Sequence, residues 1–298
     1  MKEFLKYFPI KIRQALEEIE FEKVEEIRIR NGRNIRLKYS TNEKILDVIV
    51  STEDILRILQ AICENSIYSY QNKIAEGFVT IKGGHRVGIC GTAVIENEKV
   101  INISHIFSLN FRIAKEVKGC SKELKKIVYE NGEIFNTIIL SPPGKGKTTI
   151  LRDLIRELSK EKNIGIVDER NEICSMYNGV PQKDIGEKVD ILENVSKNIG
   201  LKMLVRTMAP EIVVADEIGT EDDIKAIHYA ISSGVKGIFT AHGNNIEEVK
   251  QNPILNKLFE QNLIQKIVFL DEKERGRIKD VYIVSGGKVK NDLYKIRN

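Results

Sequence analysis

The sequence predicts an α/β protein whose parallel sheet is flanked by helices, with a smaller α+β domain before it. From Glu123 onward, apolar strand-like runs alternate with amphipathic helical segments, which is the pattern of a doubly wound sheet. One of these runs ends in a glycine-containing turn that leads directly into Lys147 and a helical segment. Residues 1–120 show strand-like alternation of polar and apolar side chains instead. We therefore expect an N-terminal α+β domain over residues 1–120 and the α/β domain over residues 121–298.

In the N-terminal domain, strands are predicted where polar and apolar residues alternate. Helices are predicted where acidic residues come before apolar residues at helical spacing. Residues 1–16 are a basic amphipathic stretch, for which a domain-capping helix is favoured over contact with a membrane. The later predicted elements, in chain order, are strands at 24–30, 34–39 and 45–50, helices at 51–63 and 66–75, a strand, glycine turn and returning strand at 77–91, and strand-like pieces at 93–103 and 109–114. A linker is predicted near residues 118–121.

The α/β domain is predicted from short apolar runs that alternate with helical segments. The predicted strands are 138–140, 164–167, 212–215 and 237–240, the predicted helices are 121–130, 148–161, 194–204, 221–233 and 246–261, and a C-terminal hairpin joins 279–284 to 288–294. The carboxyl ends of parallel strands lie at one edge of a sheet, where ligands bind. We therefore expect the polar residues that follow the four strands to form one site.

The most informative segment is the turn between the strand at 138–140 and the following helix. Its composition is typical of a phosphate-binding loop, in which backbone N–H groups and the helix N-terminus face an anion. The residues expected to hold the phosphates are Ser141, Pro142, Pro143, Gly144, Lys145, Gly146, Lys147, Thr148 and Thr149. The Lys147 ammonium would reach the β- and γ-phosphates, and the Thr148 hydroxyl would ligate Mg²⁺. The sequence therefore predicts a nucleoside triphosphate site.

The second half of such a site is predicted at the end of the apolar strand 212–215. Asp216 and Glu217 follow this strand directly. A carboxylate at that position would ligate Mg²⁺, and the next one would orient or deprotonate water. We therefore expect Asp216 as the second protein ligand of the metal and Glu217 as the catalytic base.

Two further strand ends carry candidate residues. Asp168, Glu169 and Arg170 follow the strand at 164–167, and His242 follows the strand at 237–240. Glu169 is an alternative or additional base. His242 is either a sensor of the γ-phosphate or a structural residue, and the sequence leaves both open. Arg170 and Arg206 are candidates for charge stabilisation.

Composition limits the other function classes. The net charge of +4 is small for a chain with 30% charged residues, and Lys and Arg are scattered among Glu, so no nucleic acid partner is expected. No apolar run is long enough to predict a transmembrane segment. The four cysteines are far apart and lack metal-binding spacing, which predicts reduced thiols in a cytoplasmic protein.

With both halves of the site placed, the sequence resembles the stage III sporulation protein AA family, within the class of secretion and pilus ATPases with a RecA-like core. The segments that carry the resemblance are 26–32, 77–91, 108–114, 141–153, 165–170 and 214–219. The family also begins its phosphate loop with serine, as at Ser141. Asp168 and Glu169 are placed like the aspartate box of secretion ATPases, and His242 is placed like their histidine box. That wider class usually has Gly-Glu where this chain has Asp216-Glu217, a departure that resembles RecA-type enzymes.

The resemblance implies a RecA-like P-loop fold and Mg²⁺-dependent ATP hydrolysis at the cytoplasmic base of a secretion-like channel. That channel joins mother cell and forespore, so the protein is expected in the mother cell, peripheral at the inner face of the cytoplasmic membrane. A hexameric ring and membrane channel proteins of the same sporulation operon are the implied partners. Arg112 or Arg86 of a neighbouring subunit would complete the site. Two alternatives are a nucleic-acid motor of the RecA or helicase type and a non-catalytic ATP-binding ring scaffold.

Overall fold

A computed structural model describes residues 2–292, which form two compact units. The first unit comprises the chain up to Lys115 together with Ser175–Lys183, and the second comprises Glu116–Cys174 and the chain from Asp184 onward. The sequence predicted a division between residues 120 and 121 and placed Ser175–Lys183 in the second domain. This segment packs with the first unit because its side chains find polar partners there. The Tyr177 hydroxyl contacts the Glu64 carboxylate, and the Gly83 amide donates to the Gln182 side chain over 2.8 Å.

The first unit is a six-stranded antiparallel sheet covered by helices on one face. Its strand order is β3-β2-β1-β6-β5-β4. The elements are α1 (Lys2–Leu5), α2 (Ile10–Glu17), β1 (Glu26–Arg30), β2 (Asn34–Lys38), β3 (Glu43–Ile49), α3 (Thr52–Ile62), a 3₁₀ turn (Ile67–Tyr70), α4 (Gln71–Ala75), β4 (Phe78–Ile81), β5 (His85–Glu96) and β6 (Lys99–Arg112). As the alternation predicts, every second residue of β1 and β2 is buried in the core of this unit.

Strands β5 and β6 form one long hairpin that extends beyond the sheet. The turn lies at Asn97 and Glu98, both with positive φ, as two-residue hairpin loops require. The predicted strand piece at 93–103 is therefore wrong, because the chain reverses inside it. The pairing of β5 with β6 shifts by an irregularity at Gly91. Glycine is needed there because a Cβ atom would lie 2.4 Å from the carbonyl oxygen of Ser104.

The second unit contains an eight-stranded sheet of order β13-β10-β14-β15-β9-β16-β17-β18. The first six strands in this order are parallel to one another, β17 is antiparallel to β16, and β18 is antiparallel to β17. Its elements are α5 (Lys122–Val128), β7 (Tyr129–Glu130), β8 (Glu133–Ile134), β9 (Thr137–Ser141), α6 (Lys147–Leu158), β10 (Ile164–Asp168), β13 (Val189–Glu193), α7 (Lys197–Thr207), β14 (Ile212–Ala215), α8 (Glu221–Ser232), β15 (Lys236–His242), α9 (Ile246–Gln251), α10 (Pro253–Glu260), β16 (Lys266–Leu270), β17 (Ile278–Ser285) and β18 (Lys288–Asp292). The short strands β11 (Met176–Tyr177) and β12 (Val180–Pro181) belong to the first unit.

The buried strands of the second unit carry apolar residues on both faces, since helices pack on both sides of a parallel sheet. Every residue of β9, β10, β14 and β16 is buried. These four strands and β15, which lies between β14 and β9, are parallel to one another, so their carboxyl ends meet at one edge of the sheet. This is the edge at which the sequence predicted the nucleotide site.

Several predicted boundaries in the second unit are corrected. The helix predicted at 246–261 is two helices, because Pro253 cannot continue a helix and Asn252 caps the second one. Strand β13 was not predicted because its residues are only half-buried, and helix α7 starts after it rather than at residue 194. Strand β16 was also not predicted. Of the strand predicted at 288–294, Leu293 and Tyr294 lie outside the described residues. No helix in residues 2–292 is long and apolar enough to cross a membrane.

Candidate nucleotide site

The phosphate loop connects β9 to α6 through a turn that depends on two glycines. Gly144 and Gly146 have φ values of 75° and 92°, a region that favours glycine. Gly146 caps the helix that starts at Lys147. The loop is supported from behind by the turn between β16 and β17, where the Gly276 amide donates to the carbonyl of Lys145 over 3.1 Å. Sequence analysis did not identify this supporting turn, and no local pattern indicates it.

Lys147 is buried inside the loop, with only 7% of its surface exposed. Its ammonium donates to the carbonyl oxygens of Ser141 (2.7 Å) and Pro142 (3.4 Å) and lies 3.0 Å from Nδ1 of His242. Burial lowers the pKa of Lys147, and the carboxylates of Asp216 and Glu217 oppose that effect. The acceptors around the ammonium are neutral, so an anionic phosphate oxygen would be a stronger partner for this charge than any of them.

Asp216 and Thr148 lie against each other at the start of α6. The Thr148 hydroxyl donates to Oδ2 of Asp216 over 2.8 Å, and the Thr240 hydroxyl contacts the other carboxylate oxygen. The backbone amide of Glu217 donates to that same oxygen over 3.0 Å. A hydroxyl and a carboxylate at the N-terminus of a phosphate-binding helix are hard oxygen ligands, which Mg²⁺ prefers. These two side chains therefore fit a magnesium ion that also contacts phosphates.

Glu217 lies directly beside this pair and is held by two basic side chains. Its Oε1 is 3.4 Å from Nε2 of His242, and its Oε2 contacts the guanidinium of Arg170. The backbone of Glu217 has a φ of 53°, which is uncommon for a residue other than glycine and often marks functional sites. His242 thus lies between Lys147 and Glu217. The structure thus brings the predicted residues Lys147, His242, Glu217 and Arg170 into one connected network.

Asp168 and Glu169 have different surroundings. The buried Asp168 carboxylate accepts backbone N–H bonds from residues 172, 173 and 174 at 2.8, 3.2 and 2.8 Å, so it shapes the loop after β10. Burial raises the pKa of Asp168, although the three amides oppose the effect. The Glu169 carboxylate pairs with the Lys197 ammonium of α7. Arg152 of α6 fixes the same loop by donating to the carbonyls of residues 172 and 173 over 2.8 and 2.6 Å.

Three further predicted arginines, Arg112, Arg86 and Arg206, lie on β6, β5 and α7. Arg112 lies exposed on β6 of the first unit, in register with Glu26 and Arg86 of the neighbouring strands. The Arg86 guanidinium lies over the Phe78 ring, 3.5 Å from its centroid. Arg206 is exposed in the last turn of α7. Within the second unit, the geometry thus gathers the loop 141–149, Asp216, Glu217, His242 and Arg170, whereas Arg206 lies at the far end of α7.

Comparison with solved structures identifies the fold. The chain is similar to the ATPase DotB of Legionella pneumophila, with a TM-score of 0.61, 13% identity, and coverage of 93% of this chain and 82% of that one. It is also similar to the pilus retraction motor PilT with bound ADP, with a TM-score of 0.60, 14% identity, and coverage of 96% and 83%. The predicted fold class, a RecA-like P-loop ATPase core with a smaller N-terminal domain, is therefore confirmed.

Comparison of sequences identifies the family. The sequence model described as "Sporulation stage III, protein AA" matches residues 1–289. Stage III sporulation protein AA of Bacillus subtilis (strain 168) is 36% identical over 296 residues, which cover 96% of each chain. The match includes both units and the whole nucleotide site, and the resemblance predicted from the sequence is confirmed. The chain belongs to the stage III sporulation protein AA family.

Proposed function

We propose that this protein is a Mg²⁺-dependent ATP hydrolase that drives a secretion-like channel between mother cell and forespore. The observation that carries the proposal is the joining of Lys147, Thr148, Asp216 and Glu217 at one sheet edge. Similarity to an ATPase and to a pilus retraction motor with bound ADP supports it at the level of the fold. Membership of a sporulation family supports the cellular setting.

Phosphate binding is assigned to the loop and to Lys147. On binding, the ammonium would exchange the carbonyls of Ser141 and Pro142 for phosphate oxygens, and the loop amides would face the β-phosphate. Thr148 and Asp216 would hold Mg²⁺. The bound ion would neutralise charge on the phosphates. Because the protein does little covalent chemistry here, the rate depends on how well these groups are positioned.

Glu217 is the residue we assign as base. It would accept a proton from the water that attacks the γ-phosphorus, while the bond from that phosphorus to the β,γ-bridging oxygen breaks and leaves ADP and inorganic phosphate. Glu169 remains the alternative. Both carboxylates have basic partners, but Glu217 directly adjoins Asp216, whereas Glu169 reaches Lys197 of α7. In the present arrangement Arg170 and His242 hold the Glu217 carboxylate. Arg170 is thus a positioning residue for the base.

His242 is assigned as a γ-phosphate sensor on the same geometry. Its Nδ1 accepts from Lys147 and its Nε2 faces Glu217, so the imidazole links the phosphate-binding cation to the base. When Lys147 turns to a phosphate, His242 loses one partner. The consequence would be a change in how Glu217 is held, which couples nucleotide binding to the position of the base.

A hexameric ring and docking to membrane channel proteins complete the proposal. In such a ring Arg112, or Arg86, of one subunit would act on the nucleotide of its neighbour from the first unit. An arginine finger contributes roughly 10³–10⁵ in kcat. Arg112→Ala is therefore expected to keep ATP binding and lose turnover. Unchanged turnover in this variant would remove Arg112 from the mechanism.

The deciding experiment measures ATP turnover against protein concentration, with particle size followed in parallel. The wild type is compared with Lys147→Ala and Glu217→Gln, and with the matched controls Lys160→Ala and Glu221→Gln. The exposed side chain of Lys160, just after α6, pairs with Glu157, and that of Glu221, at the start of α8, pairs with Lys257. We expect a specific rate that rises with assembly, is lost in both site variants and is kept in both controls. Glu217→Gln should still bind ATP.

Two outcomes would favour the alternatives. Tight ATP binding without turnover in any assembled form would support the non-catalytic ring scaffold. Turnover that depends on single-stranded DNA, with salt-sensitive DNA binding, would support a nucleic-acid motor. Turnover that survives Lys147→Ala would contradict the assignment of the phosphate loop itself.

A further inference from the structure

The outer face of the first unit carries a group of arginines that strand pairing brings together. Arg28 of β1 lies directly opposite Arg36 of β2, and Arg30 and Arg33 border the connecting turn. With Gly32, Asn34, Glu43, Ile45 and Ile49, these residues line a groove of about 630 Å³. We call it the arginine groove. All the residues that line it belong to the first unit.

The groove carries more positive charge than its own acids neutralise. Arg28 pairs with Glu26 over 2.7 Å, and Arg36 pairs with Glu43 over 3.3 Å. Within residues 3–290, Arg30 and Arg33 have no carboxylate partner. Because Arg28 and Arg36 already have carboxylate partners, the surplus positive charge of the groove lies on Arg30 and Arg33, where an anionic ligand would balance it.

The arginines are not needed for the core of this unit. The alternate residues of the same strands, Ile27, Ile29, Ile35 and Leu37, are fully buried on the opposite face. Polar residues of either charge would satisfy the outer face of such a sheet. The outer face also exposes apolar surface, since Ile45 and Ile49 are 53% and 63% exposed on the edge strand β3.

We propose that the arginine groove binds an extended acidic segment of a partner protein, through carboxylates on Arg30 and Arg33 and an aliphatic side chain on Ile45 or Ile49. The planar guanidinium matches a carboxylate with two parallel hydrogen bonds, which makes arginine more selective here than lysine. The edge strand β3 offers unpaired backbone groups beside the groove, to which an extended chain can add.

Two other anionic partners fit the groove less well. Single-stranded nucleic acid is bound through aromatic side chains on which bases stack, and the residues that line the groove include no aromatic one. Anionic membranes attract clusters of Lys and Arg through charge and do not use strand edges. The groove places its charges beside the edge strand β3, whose unpaired backbone groups an extended chain can use and a lipid surface cannot. The proposal is independent of ATP hydrolysis, since none of its residues belongs to the nucleotide site.

The test uses the full-length protein and a short fluorescent peptide of glutamate and serine with interspersed leucines. Binding is followed by fluorescence anisotropy for the wild type, the double variant Arg30→Gln/Arg33→Gln, and the matched control Arg57→Gln. Arg57 is exposed on α3 and does not line the groove. We expect the double variant to weaken peptide affinity about tenfold or more, and the control to leave it unchanged. Affinity should also fall as salt rises.

Further probes distinguish the partner classes. A peptide with glutamine in place of every glutamate should not bind, and thermal melts should show that the double variant is folded. ATP turnover should be the same in wild type and double variant, which separates this proposal from the proposed function. Equal peptide affinity in wild type and double variant would overturn the proposal. Tighter binding of phosphatidylglycerol vesicles or oligo-dT than of the peptide, dependent on Arg30 and Arg33, would also overturn it.

Discussion

Asp153 connects helix α6, which begins at Lys147, to the start of the second unit. Its carboxylate is nearly fully buried and accepts hydrogen bonds from the Gly119 amide (3.0 Å), the Ser121 amide (2.8 Å) and the Ser121 hydroxyl (2.7 Å). The Arg156 guanidinium also donates to it over 2.7 Å. Every donor favours the ionised carboxylate, so Asp153→Asn should weaken all of these contacts at once.

The size of the effect follows from the pKa of this carboxyl group. Burial alone would raise the pKa of Asp153, but hydrogen bonds from Arg156, Ser121 and Gly119 outweigh it and lower the pKa from 3.8 to about 2. This difference corresponds to about 2.4 kcal/mol in the free energy of unfolding. Because the folded pKa is the lower one, the contribution is complete well above pH 3.8 and disappears as the pH falls toward 2.

The assay is urea unfolding of wild type and Asp153→Asn at pH 7 and at stepwise lower pH. At pH 7 the variant should be less stable by about 2 kcal/mol or more, and the difference should shrink as the pH falls from 4 to 2. Asp47→Asn, at an exposed position of β3, is the control and should change little. A stability difference between Asp153→Asn and wild type that does not vary with pH would refute the electrostatic reasoning.

Three further predictions concern other parts of the chain. Burial and the nearby charge of Lys183 lower the pKa of His85 from 6.5 to about 4. The free energy of unfolding of the first unit should therefore fall by about 3 kcal/mol as the pH falls from 6.5 to 4, and His85→Gln should flatten that pH dependence in urea unfolding. Gly91→Ala places a Cβ atom 2.4 Å from a carbonyl oxygen and should cost about 1–3 kcal/mol in thermal unfolding, whereas a Cβ at Gly88 lies 3.8 Å from its nearest neighbour, so equal effects at both positions would contradict the steric explanation. Glu217→Gln should reduce kcat by about 10² or more, and Glu169→Gln should reduce it much less. If steady-state kinetics show the larger loss for Glu169→Gln, Glu169 and not Glu217 is the base.

Much of the fold could be predicted because its signals are local. Buried strands such as β9 and β14 appear as short apolar runs, and β1 and β2 appear as alternation with period two. The helix start at Ser51 was predicted from its acids and is confirmed, since Ser51 and Asp54 cap α3 reciprocally. The half-buried strand β13 lacked both signals, which is why it was missed.

In the candidate site, residues that are adjacent in sequence could also be predicted, whereas the partners of individual side chains could not. The loop from Ser141 to Thr149 could be predicted because phosphate binding uses consecutive backbone amides at a helix start, so its residues are adjacent in sequence. The partners of Asp168 and Glu169 could not be predicted. Asp168 accepts hydrogen bonds from amides of its own loop and Glu169 pairs with Lys197. Only the folded chain decides which partner each of these two adjacent acids takes.

The sequence by itself determined the class of the core and predicted that Asp216 and the loop after β9 lie at one sheet edge, because both depend on local patterning and on the geometry of parallel sheets. Tertiary structure alone decided the contacts among residues distant in sequence. It placed Arg170 and His242 on Glu217, and strand register set Arg28 opposite Arg36 in a groove that the scattered charges of the linear chain did not reveal. Such contacts depend on which strands pair and in which register, and neither quantity is encoded in a short window of sequence.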